Sequence, residues 1–568
     1  MSPVRRMRPM RPARPLRERR EGLLSASLAL AAASAVLAAG SSCGGGAYDP
    51  LATAAARAGR PGNLEASIPP MCYASTAGGA NGCWTCHTTG FGPNTLADHD
   101  LQRAYSFSDA ARKNPWVNLL EDLSAAAART SDAEILEYIR EDNYAPLRRA
   151  LRALSERREY PGYVPDLDLA AGLDGEGFAA DGSGFRAVRY KPFPGSFWPT
   201  NGSAGDVFIR LPAAFREDAS GAPSREVYKL NLALLEAAIA SPSPLPGASE
   251  AGAAGAPEGR EVEPVSEVVA GVDLDGDGAI EAAVTRIRRL PARYAGGAAG
   301  VPVRAWIYPR GTELLHSVRY LDPDRPSLLA ARMKELRYAR KVDEPDDWAI
   351  SRAYEREAEE KEEGFPPRYA GAPEVGLRNA FGWQIQGFIE DEQGRLRLQT
   401  AEEHRACMGC HSAVGVTVDH TFSLARKVPG AAGWRHQDLR GMPDAPQAGH
   451  AEPEVLTYMR RAGGADDYRG NAEMLARFFP GGALDEAAVR RGAPGGDRDL
   501  AYLVAPSRER ALLLDKAYRA LVRAQRFEAG RDVMLGPATG MLRVVDGEST
   551  GLGEAQRVYL DGRVHLAW

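Results

Sequence analysis

Cysteine is scarce in this chain of 568 residues: there are six, beside nine histidines. So few thiols exclude a disulfide-built scaffold. Long apolar runs are missing after residue 40, which excludes a bundle of membrane-spanning helices. Excess positive charge is missing too. Residues 1–42 hold eight Arg and no Lys against Glu18 and Glu21, so they contribute +6 and leave −11 for the remainder of a chain whose net charge is −5. An acidic body argues against nucleic acid as a partner, because binding there needs cations that displace counterions. It suits docking to basic redox proteins. What is present is an ordinary globular composition, 44% hydrophobic and 26% charged, on a chain too long for one simple core.

The Arg-rich start is followed by an apolar stretch from Leu23 to Gly40, the layout of an export signal; an uncleaved N-terminal anchor is the other reading. Gly40-Ser41-Ser42-Cys43 then precedes Gly44-Gly45-Gly46. This resembles a bacterial lipoprotein box, with Gly40 where Leu is usual. The resemblance implies a lipid anchor through Cys43, a periplasmic location and a flexible tether over 44–65.

Four of the six cysteines sit in two Cys-x-x-Cys-His runs, Cys83-Trp84-Thr85-Cys86-His87 and Cys407-Met408-Gly409-Cys410-His411. On a helix, positions i, i+3 and i+4 share one face. Two thiols can then add to the two vinyl groups of a haem while the imidazole reaches the iron. One such run is expected by chance on the order of 10⁻³ times in a chain with this many Cys and His. A thioredoxin-like pair needs a βαβ context, which neither run has. A zinc ribbon gives no reason for His after each second Cys. The reading is two covalently bound c-type haems with His87 and His411 as proximal ligands. Cys72 is left over. It reads as a buried thiol, a ligand to the first haem, or a disulfide partner of Cys43 if no lipid is attached there.

The fold class expected is α+β: mainly helical haem regions flanking a mixed, β-containing middle domain with long loops. The boundaries are a signal over 1–43, the tether over 44–65, a first haem region over 66–163, a middle domain over 164–375 and a second haem region over 376–568. Residues 241–264, rich in Pro, Ala, Gly and Glu, read as a disordered loop. Val301 to Tyr308 reads as β-like. Helices are expected over Ser327 to Lys341 and Trp348 to Glu363. Asp391-Glu392-Gln393-Gly394 reads as the turn of a hairpin, with the haem helix following from Ala401.

His or Met in the sixth iron position gives an electron carrier; an open position gives a haem that binds small molecules. His99 is the candidate for the first haem, and His420, His436, Met442 and the more distant His316 for the second. Asp273-Leu274-Asp275-Gly276-Asp277-Gly278 has the first half of a calcium loop, with Glu281 at the ninth position and Val284 where a bidentate Glu is usual. Asp273, Asp275, Asp277 and Glu281 are the candidate calcium ligands.

With Met71-Cys72-Tyr73, Asn81-Gly82-Cys83 and Thr421 to Lys427 around them, the two runs resemble large exported di-haem c-type cytochromes of Gram-negative bacteria. That resemblance implies cofactor and compartment but no substrate. The expected function is periplasmic electron transfer. The other class is a haem oxidoreductase, peroxidase-like or acting on small molecules, with one open iron. No catalytic residue is assigned, and the choice between carrier and enzyme stays open.

Overall fold

The structure is a computed structural model that describes residues 48–58, 62–74, 109–195, 198–240, 259–412, 419, 421–448, 450–462, 471–537, 539–545 and 565–568. Among them, ten strands run in chain order: β1 (Arg186–Val188), β2 (Ala204–Arg210), β3 (Arg260–Val265), β4 (Val284–Ile287), β5 (Glu313–Leu321), β6 (Leu329–Lys341), β7 (Gly371–Ala372), β8 (Gly376–Arg378), β9 (Trp383–Glu390) and β10 (Leu396–Leu398). Eight form one antiparallel sheet in the order β1-β2-β5-β6-β9-β8-β7, with β10 pairing β9; β3 and β4 form a separate ribbon. The helices used below are α1 (Ala52–Arg57), α2 (Asp132–Arg140), α3 (Tyr144–Glu156), α4 (Arg225–Ile239), α5 (Glu267–Ala270), α6 (Asp347–Glu362), α7 (Ala401–His411), α8 (Glu454–Ala462), α9 (Ala472–Phe478) and α10 (Arg508–Ala524). The class is α+β, as expected.

Local signals hold well at turns and caps. Gly394 has φ +83 and closes the β9–β10 hairpin, its N–H bonded to the Asp391 carbonyl. Ser131 caps α2 by accepting from the Glu134 N–H. The stretch expected as a helix over Ser327 to Lys341 is instead β6, and the reason is electrostatic. Arg332, Lys334 and Glu335 look like a wet helical face in sequence, yet all are buried in a strand flanked by β5 and β9. Their charges are met internally: Lys334 Nζ donates to the Gly202 carbonyl at 2.6 Å, and Glu335 pairs with Arg337 and Arg531. Val301 to Tyr308 forms no strand.

The region boundaries do not divide the sheet. Tyr48–Trp568 forms one compact unit. β9 and β10 lie beyond residue 375, yet β9 pairs with β6 along seven residues. Part of the expected tether is also folded. Tyr48 donates to the Leu396 carbonyl at 2.5 Å, Leu398 N–H to the Pro50 carbonyl at 2.6 Å, and Arg57 pairs with Glu528 at 3.0 Å. The end of the expected loop 241–264 is strand β3; residues 241–258 lie outside the described residues.

Glu390, at the end of β9, is fully buried and accepts from Tyr138 Oη at 2.7 Å and Tyr320 Oη at 2.6 Å. Burial pushes its carboxyl up to about 7, against the pull of Arg332. The unfolded chain releases this proton near 4.5 and the folded chain keeps it to about 7, so the group costs stability as pH rises through that interval. Glu390→Gln keeps the shape and one accepting oxygen, turns the other into a donor that a tyrosine oxygen can accept from, and removes the titration. Its unfolding free energy is expected to gain about 3 kcal/mol on the wild type between pH 4 and pH 8. Denaturant melts at the two pH values check this; parallel pH curves would contradict it.

Candidate functional site

The second Cys-x-x-Cys-His run forms the last turn and a half of α7. The helix starts there because Thr400 accepts from the Glu403 N–H while the Glu403 carboxylate reaches back to the Thr400 N–H, a full capping box. Arg397 from β10 clamps the same carboxylate with two bonds, of 2.9 and 3.0 Å. Burial works to raise Glu403, but Arg397 outweighs it and holds the carboxyl at about 2. His404 fixes the helix to the sheet. Its Nδ1 lies 2.9 Å from the Thr400 carbonyl and its Nε2 accepts from the Gly387 N–H at 3.0 Å, so both ring nitrogens are occupied structurally. Burial pushes this imidazole down to about 4.

Gly409, inside the motif, is required by close approach. A Cβ there would lie 2.4 Å from the Ser67 carbonyl oxygen and 2.9 Å from the Pro69 ring. The strand of chain pressed against α7 leads into a short 3-10 turn, Pro70–Tyr73, which carries Cys72. Cys72 acts electrostatically on Cys410. The residue left over in the sequence thus stands near the second motif. Cys407 and Cys410 are joined in no disulfide among the described residues.

Across the sheet, Val207, His316, Arg337 and Gly387 lie opposite one another on β2, β5, β6 and β9. Opposed residues on neighbouring antiparallel strands share a face. α7 packs over this row. Cys407 and Met408 share one hydrophobic cluster with Val207, Leu314 and Ile385. Arg337 interacts with Glu335 and acts on both Cys407 and Cys410. Burial pushes the Cys410 thiol up to about 11, and Arg337 opposes the rise. Arg531 joins from the other side, bonded to Glu335 at 2.9 Å.

His411 closes the helix. Its ring meets Phe422 edge-on at 5.3 Å, and Phe422 in turn packs against Phe193 at 5.5 Å. Its carbonyl accepts from Asn379 Nδ2 at 2.7 Å. Of the residues read as sixth ligands, His316 is the one brought near it: His316 is half-buried on β5 and feels the charge of His411. Burial, then Arg337, pushes His316 down to about 3, so the ring is neutral at ordinary pH, the form that binds a metal. Its Nε2 lies over Gly205, where a Cβ would come within 2.8 Å of it. His436 is half exposed, with Nδ1 3.9 Å from Asp206 and its ring edge-on to Phe208. Met442 is buried in a different cluster, with Trp198, Leu456 and Leu500. His420, His99 and the whole first motif, Cys83, Cys86 and His87, lie outside the described residues, as does Cys43.

The calcium-like loop gathers in two overlapping groups of carboxylates, Glu267 with Asp273 and Asp275, and Asp275 with Asp277 and Glu281. Asp273 accepts from the Gly276 and Gly278 N–H groups, and Gly276 and Gly278 take φ of +80 and +91. Glu267, the first residue of α5, was not legible as a member. Fully buried, it accepts from the N–H groups of Leu274, Asp275 and Glu281 and so braces both ends of the loop. The cluster offers oxygen ligands of the kind a hard divalent cation takes.

The sequence profile of a lipoprotein family matches residues 56–481. An uncharacterized lipoprotein of Aquifex aeolicus (strain VF5) is 31% identical over 558 residues, covering 87% of this chain and 91% of the relative. No solved structure matches. These findings overturn the resemblance to a di-haem cytochrome family of Gram-negative bacteria: the match is to lipoproteins, and neither description mentions haem. The Cys-His runs that suggested cytochromes are short, whereas the family match spans most of the chain. The lipoprotein reading of the N-terminus agrees with both comparisons, and the chain belongs to this lipoprotein family, a class of exported proteins tethered to a membrane.

Proposed function

We propose that this lipoprotein is a haem protein that passes electrons in the periplasm, held to the membrane by lipid on Cys43. One c-type haem is held by Cys83, Cys86 and His87 and a second by Cys407, Cys410 and His411. The observation that carries the reading is α7: two free thiols one helical turn apart, with an imidazole next in line. That donor set fits the group. Each thiol would add across one vinyl, sulfur to the inner carbon and hydrogen to the outer, so no oxidant is consumed. When bound, the haem supplies a one-electron iron couple. The chain's own residues would do the rest. His411 would hold the iron, the neutral His316 is the candidate for a second protein ligand, and Phe422 with Phe193 would pack beside the His411 ring. Arg337, whose charge acts on both thiols, would temper the rise that burial imposes on Cys410.

His316 is what favours a carrier over a haem oxidoreductase. In protein produced with the c-type maturation machinery, both irons are expected to be low-spin and indifferent to carbon monoxide. His316→Ala is expected to turn one of the two high-spin and open it to carbon monoxide, read by optical and EPR spectra. A wild type that already binds carbon monoxide would reverse the choice in favour of the oxidoreductase. Redox partner proteins on the acidic surface complete the proposal.

The carboxylate loop is proposed to bind Ca²⁺ through Asp273, Asp275, Asp277 and Glu281, braced by Glu267. Calorimetric titration is expected to show one site that is lost in Asp275→Asn, the residue shared by both groups. Equal heats from wild type and variant would remove the site.

A further inference from the structure

We propose that the exposed arginines at the end of α3, namely Arg149, Arg152, Arg157 and Arg158, dock the body on anionic lipid headgroups. The proposal rests on the reading that Cys43 is lipidated, and four observations lead to it. First, α3 is cleanly two-sided. Tyr144, Leu147 and Leu151 are buried, while Arg149 and Arg152, three apart, share an exposed face that Arg157 and Arg158 extend. Second, the charge is local. Residues 144–159 hold five Arg against Glu156 and Glu159, in a chain whose portion beyond residue 42 is strongly acidic. Arg148 is engaged by Asp168 at 3.2 Å and Arg157 by Glu159 at 2.9 Å. Among the described residues, Arg149, Arg152 and Arg158 meet no carboxylate.

Third, the helix that carries this face adjoins, at its Arg157 end, the place where the folded body begins. Ala54 of α1 is buried in one cluster with Tyr144, Leu147 and Leu151, and Leu51 and Leu154 pack on it. The Asp49 carboxylate acts on Arg157. Fourth, the linker is short. Only Gly44, Gly45, Gly46 and Ala47 separate Cys43 from Tyr48. Fully extended, that stretch spans no more than about 18 Å. An acyl anchor on Cys43 therefore confines this end of the body to the headgroup region, where cations within a Debye length of anionic lipid are attracted. A stripe whose arginines outnumber its carboxylates, beside the anchor, is charge-complementary to that surface.

Two measurements test this. A lipid-free chain beginning at Gly44, without the Arg-rich signal, is mixed with phosphatidylglycerol-containing vesicles and with pure phosphatidylcholine vesicles. Binding is expected to the anionic vesicles only, to fall with salt, and to weaken roughly a hundredfold in the variant Arg149→Glu, Arg152→Glu, Arg158→Glu. The triple variant is first shown to melt like its parent. Next, the native protein in anionic vesicles is expected to protect the amides of 149–158 from exchange, and in phosphatidylcholine vesicles to leave them exposed. Anionic binding unmoved by the triple variant, no binding at all, or protection independent of lipid charge would overturn the proposal; the last would point to a protein contact. The mass of the N-terminal peptide reports lipidation separately. An unmodified Cys43 would sink the anchor while the vesicle result still decides the surface.

Discussion

Glu454→Ala is expected to destabilise the protein by about 3–5 kcal/mol, the cost of leaving a buried charge without its partner. Glu454, the first residue of α8, is fully buried and serves several donors at once. Arg426 holds it with two bonds, of 2.9 and 2.5 Å, Lys191 at 2.7 Å and Gln447 at 2.9 Å. Burial works to raise the carboxyl, but Arg426 and Lys191 outweigh it and keep it ionised down to about 2. After truncation Lys191 retains Asp444 at 2.8 Å, so Arg426 bears the loss. It keeps the Lys191 and Pro192 carbonyls as acceptors. The double variant Glu454→Met, Arg426→Met removes both charges and is expected to cost less than the single one. Urea unfolding of the three proteins gives the comparison. A single variant within 1 kcal/mol of wild type would show that the pair is not desolvated as described.

Glu403→Ala carries the second large effect, and it acts at the proposed haem helix. The residue is half of the capping box of α7 and the partner of the buried Arg397. Losing it orphans a guanidinium whose side chain is 1% exposed, at about 3–5 kcal/mol, and loosens the helix start. Thr400→Ala removes the hydroxyl half of the cap alone and is expected to cost about 1 kcal/mol. The contrast separates the ion pair from the cap. In maturation-competent cells, Glu403→Ala is also expected to lower the yield of protein with the second haem attached, because the thiols are presented by the helix it holds. Unchanged stability in both variants would contradict the picture of α7 as clamped from its N-terminus.

What could be read from the sequence was local. The start of α7 and the hairpin at Asp391 to Gly394 each rest on neighbouring residues, and both are present in the structure. What could not be read depended on distant partners. β6 looked helical because its charges seemed to need water; Gly202, Glu335 and Arg531 supply the partners instead. His316 was legible as one histidine in an apolar run, but only strand pairing sets it beside Arg337 and within reach of His411. The four-carboxylate loop was plain, whereas Glu267, which braces it, sits upstream in a helix with no motif of its own. The cytochrome resemblance failed for a related reason. Two short runs carried the cytochrome reading, while family membership is carried by most of the chain.

The central claim is that Cys407 and Cys410 are haem-attachment thiols rather than free ones. Its most direct test is the intact mass of the exported protein made with the c-type maturation machinery, taken with alkylation of any remaining thiols. The account predicts two haem additions, one of which disappears in Cys407→Ala, Cys410→Ala, and no alkylation at either residue in the wild type. A wild-type mass without haem, with both cysteines alkylated after unfolding, would contradict it.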